Sequence, residues 1–253
     1  MIVSGSDKNS LESEILTAPA PATAPARIID FGQTEVDEYE GYFAMVVDNV
    51  LTPEECAQLL SLVRPAEGAP WPPATVTTYD NRQILADSRQ CGRIIFNSET
   101  IGARLLDRIR HHIPPEVATL DNAPDITGQM PVIRRERWQI SRFNEALKFL
   151  KYEAGDYFRP HSDANYVDKE TGETSYLTAH FYLNGGGDGE AGVEGGATRF
   201  AVKYDESDQR KVDVDPKMGS VLIFQQRDLY HEGATVTKGT KYTLRADVMY
   251  KKV

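Results

Sequence analysis

The chain is poor in three things, and each shortage removes a class of function. It has two cysteines in 253 residues. Neither lies in a Cys-x-x-Cys or zinc-like spacing, so Cys56 and Cys91 read as small buried or half-buried thiols in a reducing compartment. Positive charge is also short: 28 Lys and Arg face 38 Asp and Glu, a formal net charge of −10. Such a chain lacks the overall basic field with which nucleic-acid binders gather phosphates. Long apolar runs are missing too. No stretch approaches the roughly 18 residues needed to cross a bilayer, so no membrane partner is expected. The first residues lack the layout of a secretory signal, and Asp7, Glu12 and Glu14 speak against an acid-poor mitochondrial presequence. Cytoplasm, with or without nucleus, is the expected location. No heptad seam is present, and oligomeric state is not readable.

Residues 1–27 are expected to form a disordered tail, because Thr17 to Ala26 interleaves three prolines with small residues that bury little. A single domain is expected over 28–253, with helical and strand support in 28–137 and the chemical core in 138–253. Thr52, Pro53 and Glu55 announce a helix by a capping box with proline at the first turn, and Cys56, Leu59, Leu60 and Val63 recur at helical spacing. A second helix is expected over 98–112, its apolar stripe formed by Ile101, Leu105, Leu106 and Ile109. His111 and His112 at its end are expected on the surface, pointing apart. Beyond Trp138 short β patterns take over, at 147–152, 176–183, 212–214, 220–224 and 242–250. Many short strands without intervening helices predict an antiparallel jelly roll. The Gly-rich stretch 185–196 reads as an inter-strand loop, since no helix start follows it to cradle a phosphate.

His161 and Asp163 carry the chemistry. Two apart on an extended segment, they point to one face and can converge on an ion. Alone, the pair is as consistent with a surface contact. His231 adds a second imidazole, and two neutral imidazoles plus one carboxylate leave open positions on a divalent ion, the set expected for non-haem Fe(II) oxygenases. Zinc in a hydrolase is the rival; it would want a nearby general base, and Asp228 is expected to be solvated.

The segment Tyr152 to Asp163 resembles the metal-binding strand of prolyl-4-hydroxylase-like 2-oxoglutarate/Fe(II) dioxygenases. Segments 178–184, 195–200, 218–224 and 231–241 resemble the same family in the same order, and 50–56 resembles its first helix. The resemblance implies a mainly β, α+β fold: a double-stranded β-helix (jelly roll) flanked by helices. It implies His161, Asp163 and His231 as iron ligands, Lys241 as partner of the distal carboxylate of 2-oxoglutarate, and Tyr152, Thr178 and Tyr182 as further contacts to that co-substrate. Ascorbate is implied as reductant. Strand alternation sets Thr178, His180 and Tyr182 on one face of their strand, and Lys241, Thr243 and Arg245 on one face of theirs. Arg245 is thus a rival or auxiliary carboxylate partner. His180 reads either as a substrate-side group or as a hydrogen-bonded barrel histidine.

The expected activity is hydroxylation of an unactivated C–H bond, of a prolyl residue in a peptide or protein, with release of succinate and CO2. Related halogenases lose the carboxylate that Asp163 retains, which favours hydroxylation. Two departures bear on the substrate: Ser175 stands where prolyl hydroxylases often carry a substrate-associated arginine, and Tyr242 where a tryptophan commonly follows the lysine. A small-molecule acceptor and a non-catalytic metal-binding module are the alternatives. A nucleic-acid demethylase would need a basic groove, and Arg134 to Arg137 reads as a solvated charged segment instead. Residues 64–97 and 164–175 are expected to cover the substrate.

Overall fold

The structure, a computed structural model, describes residues 12–22, 25–65, 69–77, 83–186, 192–202 and 208–253. Part of the expected Gly-rich loop and part of the first expected lid fall outside them. Along the chain come β1 (Ala44–Val47), α1 (Pro53–Ser61), β2 (Gly92–Asn97), α2 (Glu99–Ile109), β3 (Arg137–Phe143), β4 (Ala146–Glu153), β5 (Tyr157–His161) and β6 (Thr174–Tyr182). Then follow β7 (Thr198–Ala201), β8 (Lys211–Val214), β9 (Val221–Gln225), β10 (His231–Gly233) and β11 (Thr240–Lys252). The fold is mainly β with antiparallel sheets, the jelly roll expected.

A large sheet runs Arg27–Ile28, β1, β9, β6, β11, β3 and Thr119–Asp121, with β4 bridging β11 and β2; a smaller one runs β8, β7, β10, β5 and Arg89–Gln90. Because side chains alternate across a strand, the large sheet serves two cores at once. Leu177, Ala179 and Phe181 of β6 join Leu244, Ala246 and Val248 of β11 in the core beneath the helices. The intervening Tyr182, with Leu222 and Phe224 of β9, packs against Phe200 and Val214 of the small sheet. The functional cavity opens on this second face.

Both expected helices form. Thr52 Oγ1 accepts from the Glu55 amide and Glu55 returns a carboxylate to the Thr52 amide at 2.9 Å, so the capping box is complete. Glu55 is then buried with Arg108 of α2, whose guanidinium grips it in a fork at 2.6 and 2.7 Å. Ser98 caps α2, accepting from the Ile101 amide at 2.9 Å. Cys56 is free and buried, and burial pushes its thiol up to about 12. His111 and His112 do not splay apart as expected: the helix tightens to a 3-10 turn over Arg110–His112, and their rings lie 3.9 Å apart.

The expected tail needs correction. Ile15 and Leu16 are buried, at 3 % and 6 % exposure, within the helix-supported core. Arg104 donates to the Ile15 carbonyl at 2.6 Å and Arg108 to the Ala18 carbonyl at 3.2 Å. Two apolar side chains ahead of the proline run, plus two guanidiniums from α2 to satisfy its carbonyls, are enough to anchor it. Leu16→Ala is therefore expected to cost about 2–5 kcal/mol of stability, read as a lower urea midpoint at unchanged m; a change within about 0.5 kcal/mol would mean the segment is not docked.

Candidate metal centre and its cavity

The first two ligand positions are set by one strand pairing. β5 and β10 run antiparallel with His161 opposite His231, and their rings stand 4.5 Å apart. A bulge between Phe158 and His161 breaks the even ladder. Each imidazole gives its Nδ1 to a carbonyl two residues back, His161 to Arg159 at 2.8 Å and His231 to Leu229 at 3.1 Å. Such a bond fixes the tautomer and frees Nε2 to face an ion. Asp163 lies beyond the strand end, with oxygens 3.8 Å from His161 Nε2 and 3.9 Å from His231 Nε2. Ligand atoms of all three lie within 4.8 Å of one another.

The charge states suit a metal. Burial, with His231 beside it, pushes His161 down to about 3, and burial lowers His231 as well, so both rings are neutral donors near neutral pH. Burial alone would raise the Asp163 carboxyl, but Arg245, then the two histidines, hold it well below the usual carboxylate range. Two neutral nitrogens and one carboxylate, all within reach of a single ion, fit Fe(II).

The large sheet holds Asp163 from the other side. Thr178 donates to its Oδ2 at 2.6 Å, and Arg245 Nη2 lies 3.0 Å from the same oxygen and 3.0 Å from Asp247 Oδ1. Lys148 of β4 completes the chain, 2.5 Å from Asp247. Asp247 and Lys148 escaped sequence reasoning, although the alternation that selected 241, 243 and 245 extends to 247, and that of β4 joins 148 to Tyr152.

Lys241 sits deeper, 1 % exposed. Its Nζ donates to the Gly196 carbonyl at 2.7 Å and lies 4.4 Å above the Tyr152 ring. Burial pushes its ammonium down to about 8. Gly196 has φ +70°, and a Cβ there would come within 2.9 Å of Val236 and 3.3 Å of Lys241, so only glycine lets the backbone approach the lysine.

The other expected residues divide. His180 lines the cavity, and its Nε2 is buried without a hydrogen-bond partner; burial, then Lys241 and Arg245, keep the ring neutral. The barrel-histidine reading, with a satisfied ring, therefore does not hold for that nitrogen. Tyr182 stands one step back: its hydroxyl donates to Thr198 Oγ1 at 2.8 Å, and Thr198 is the residue at the wall. Ser175 is fully buried and donates to Gln226 at 2.8 Å. Asp228 is half-buried next to Arg227 and does not line the cavity, which has a volume of about 550 Å³.

Residues 147–246 match the family model described as the 2OG-Fe(II) oxygenase superfamily. No curated protein sequence matches the chain. Among solved structures, a Pseudomonas putida prolyl-4-hydroxylase aligns at 17% identity over 87% of this chain and 95% of its own, TM-score 0.51. That likeness shows the fold. The viral collagen prolyl hydroxylase of Paramecium Bursaria Chlorella virus-1 aligns at 16% identity over 81% and 95%, TM-score 0.45. A Trichoplax adhaerens prolyl hydroxylase, solved with a hypoxia inducible factor oxygen degradation domain peptide fragment, aligns at 12% over 96% and 90%, TM-score 0.49.

Thr178→Val removes the hydroxyl that steadies Asp163 while keeping the side-chain shape. It is expected to weaken metal binding roughly 10–100-fold, measured by anaerobic titration with Mn(II), with the unfolding midpoint little changed. Unaltered metal affinity would exclude this support role.

Proposed function

We propose that this chain, a 2-oxoglutarate/Fe(II)-dependent dioxygenase of prolyl-hydroxylase-like type, hydroxylates an unactivated C–H bond, with peptide-bound proline as the first acceptor to test. One observation carries the reading: a single cavity gathers His161, Asp163 and His231 at its wall and the buried ammonium of Lys241 in its depth. The order of motifs from Tyr152 to Lys241 supports the iron and co-substrate sets, whereas Ser175, in the place of a substrate-associated arginine, weakens the carry-over of proline as acceptor.

In this reading His161, Asp163 and His231 hold Fe(II), and Lys241 receives the distal carboxylate of 2-oxoglutarate. Bound together, iron and 2-oxoglutarate supply the oxidising chemistry, in which dioxygen is consumed, 2-oxoglutarate becomes succinate and CO2, and C–H becomes C–OH. His161, Asp163 and His231 would supply three donors to the ion, fewer than Fe(II) accepts, so that the co-substrate could bind it as well. Lys241 exchanges its bond to the Gly196 carbonyl for a charge-assisted one, which offsets the cost of burying the dianion. Tyr152 lies against the same ammonium and lines the cavity beside it. Thr178 and Arg245 act through Asp163, holding its carboxylate in place. The unpartnered Nε2 of His180 is a neutral group able to meet a polar atom of either ligand. Phe224 and Leu150 at the wall exclude water from a reaction that would be spoiled by it. Ascorbate is proposed as the external reductant.

Aerobic incubation with Fe(II) and 2-oxoglutarate is expected to yield succinate slowly without acceptor and faster with a proline-containing peptide that gains 16 mass units. His161→Ala and Asp163→Ala should abolish both. Absence of succinate from the wild-type protein would end the dioxygenase reading.

The lysine adds a pH signature. Its folded value lies below that of an exposed lysine, so it is an ammonium below about pH 8 and loses its proton above. The co-substrate needs the charged form, so its Kd is expected to hold below pH 8 and rise up to about tenfold per unit above. Calorimetry from pH 7 to pH 9.5, both ends about that value, reads this directly. In Lys241→Met binding should be weak throughout, with the pH dependence gone.

A further inference from the structure

The charge on the cavity wall does not balance. Five cations line it, Arg89, Arg93, Lys148, Lys241 and Arg245, against the carboxylates of Asp163, Glu232 and Asp247. Three of the cations are accounted for: Arg245 and Lys148 by the two aspartates, Lys241 by the co-substrate of the proposed reading. Glu232 turns to Arg199, outside the cavity, at 3.2 Å. Arg89 and Arg93 remain, and among the described residues neither has a carboxylate in ion-pair distance.

Both are instead held by neutral groups. Arg89 Nε donates to Cys91 Sγ at 3.2 Å, and its guanidinium lies 4.4 Å above the Phe158 ring. Arg93 donates to Thr75 Oγ1 at 2.7 Å and to the Thr75 carbonyl at 3.2 Å. They are half-buried, four residues apart, one in the edge pairing of the small sheet and one in β2. Phe158 also stacks on His161, ring centroids 3.7 Å apart. Arg89 is thus linked to an iron ligand through one aromatic ring, and Arg93 lines the same cavity. Two half-desolvated cations with no carboxylate in ion-pair distance among the described residues gain from the arrival of an anion.

We infer that Arg89 and Arg93 form a carboxylate-binding subsite, and that the acceptor of this dioxygenase carries a carboxylate a short distance from the carbon that is hydroxylated. This rests on the dioxygenase reading but names what that reading leaves open. The carboxylate has two sources, the α-carboxylate of a free amino acid or an acidic side chain in a peptide.

The test titrates the Mn(II)- and 2-oxoglutarate-loaded protein, without oxygen, in a calorimeter. One arm uses free proteinogenic L-amino acids and their α-amides; the other uses proline-containing peptides flanked by Glu or by Gln. In one arm the carboxylate member is expected to bind at least about tenfold more tightly than its amide, and the arm identifies the source. That preference should vanish in Arg89→Gln/Arg93→Gln and partly return in Arg89→Lys/Arg93→Lys, while the Kd for 2-oxoglutarate stays the same in all three proteins. No preference in either arm, or one that survives the double Gln change, would overturn the subsite. Succinate production by the wild-type protein keeps the two readings apart: absent, the dioxygenase reading falls; present with charge-blind binding, only the subsite does.

Discussion

The site depends on one register, the pairing of β5 with β10 that sets His161 across from His231. Directly opposed residues on antiparallel strands have their side chains side by side, so two imidazoles come together without any loop having to hold them. A slip of one residue would turn one ring to the other face. What the pairing cannot supply is the third donor. Asp163 follows the strand, where the backbone no longer fixes direction, and it is held by Thr178 and Arg245 from the opposite sheet. The centre is therefore a joint between two sheets, and its geometry is only as good as their packing.

That packing explains what was legible in the sequence. Period-two alternation locates the strands and, within β6 and β11, sorts inward from outward residues with no knowledge of partners. It places Thr178 and His180 on the cavity side, as found, and the same count extended by one step reaches Asp247. It does not distinguish a side chain at the wall from one behind it: Tyr182 shares the face of Thr178 and His180, yet its hydroxyl donates to Thr198 at the wall. The proline-rich start misleads for a different reason. Composition averages over the segment, whereas anchoring needs only Ile15 and Leu16 in a groove that helix α2 provides, and grooves are tertiary. Arg89 and Arg93 are illegible for a related reason, because their approach to the cavity is set by the pairing of their strands with β5 and β4, which is tertiary.

Global and local charge also part company. A net charge of −10 describes the surface as seen from beyond a Debye length, and it argues soundly against a phosphate-backbone footprint. It says nothing of a half-enclosed space where low dielectric magnifies each charge. There, cations outnumber carboxylates although the whole chain has the opposite excess. The sign of the whole does not limit the sign of the site.

Unsatisfied polar atoms lead to the same place. Of the four buried side-chain nitrogens and oxygens without a partner among the described residues, His180 Nε2, Thr243 Oγ1 and Arg245 Nε belong to the two strands beneath the cavity, and His180 and Arg245 line it. Buried polar groups are ordinarily paired, since each orphan costs on the order of 1–3 kcal/mol. An apolar residue at position 180 or 243 would remove that cost and pack as well against Tyr182 or Leu150. Folding alone gives no reason to keep a bare ring nitrogen beside two cations in the interior. A ligand that brings its own donors and acceptors would, since His180 Nε2 and Arg245 Nε belong to residues of the cavity wall.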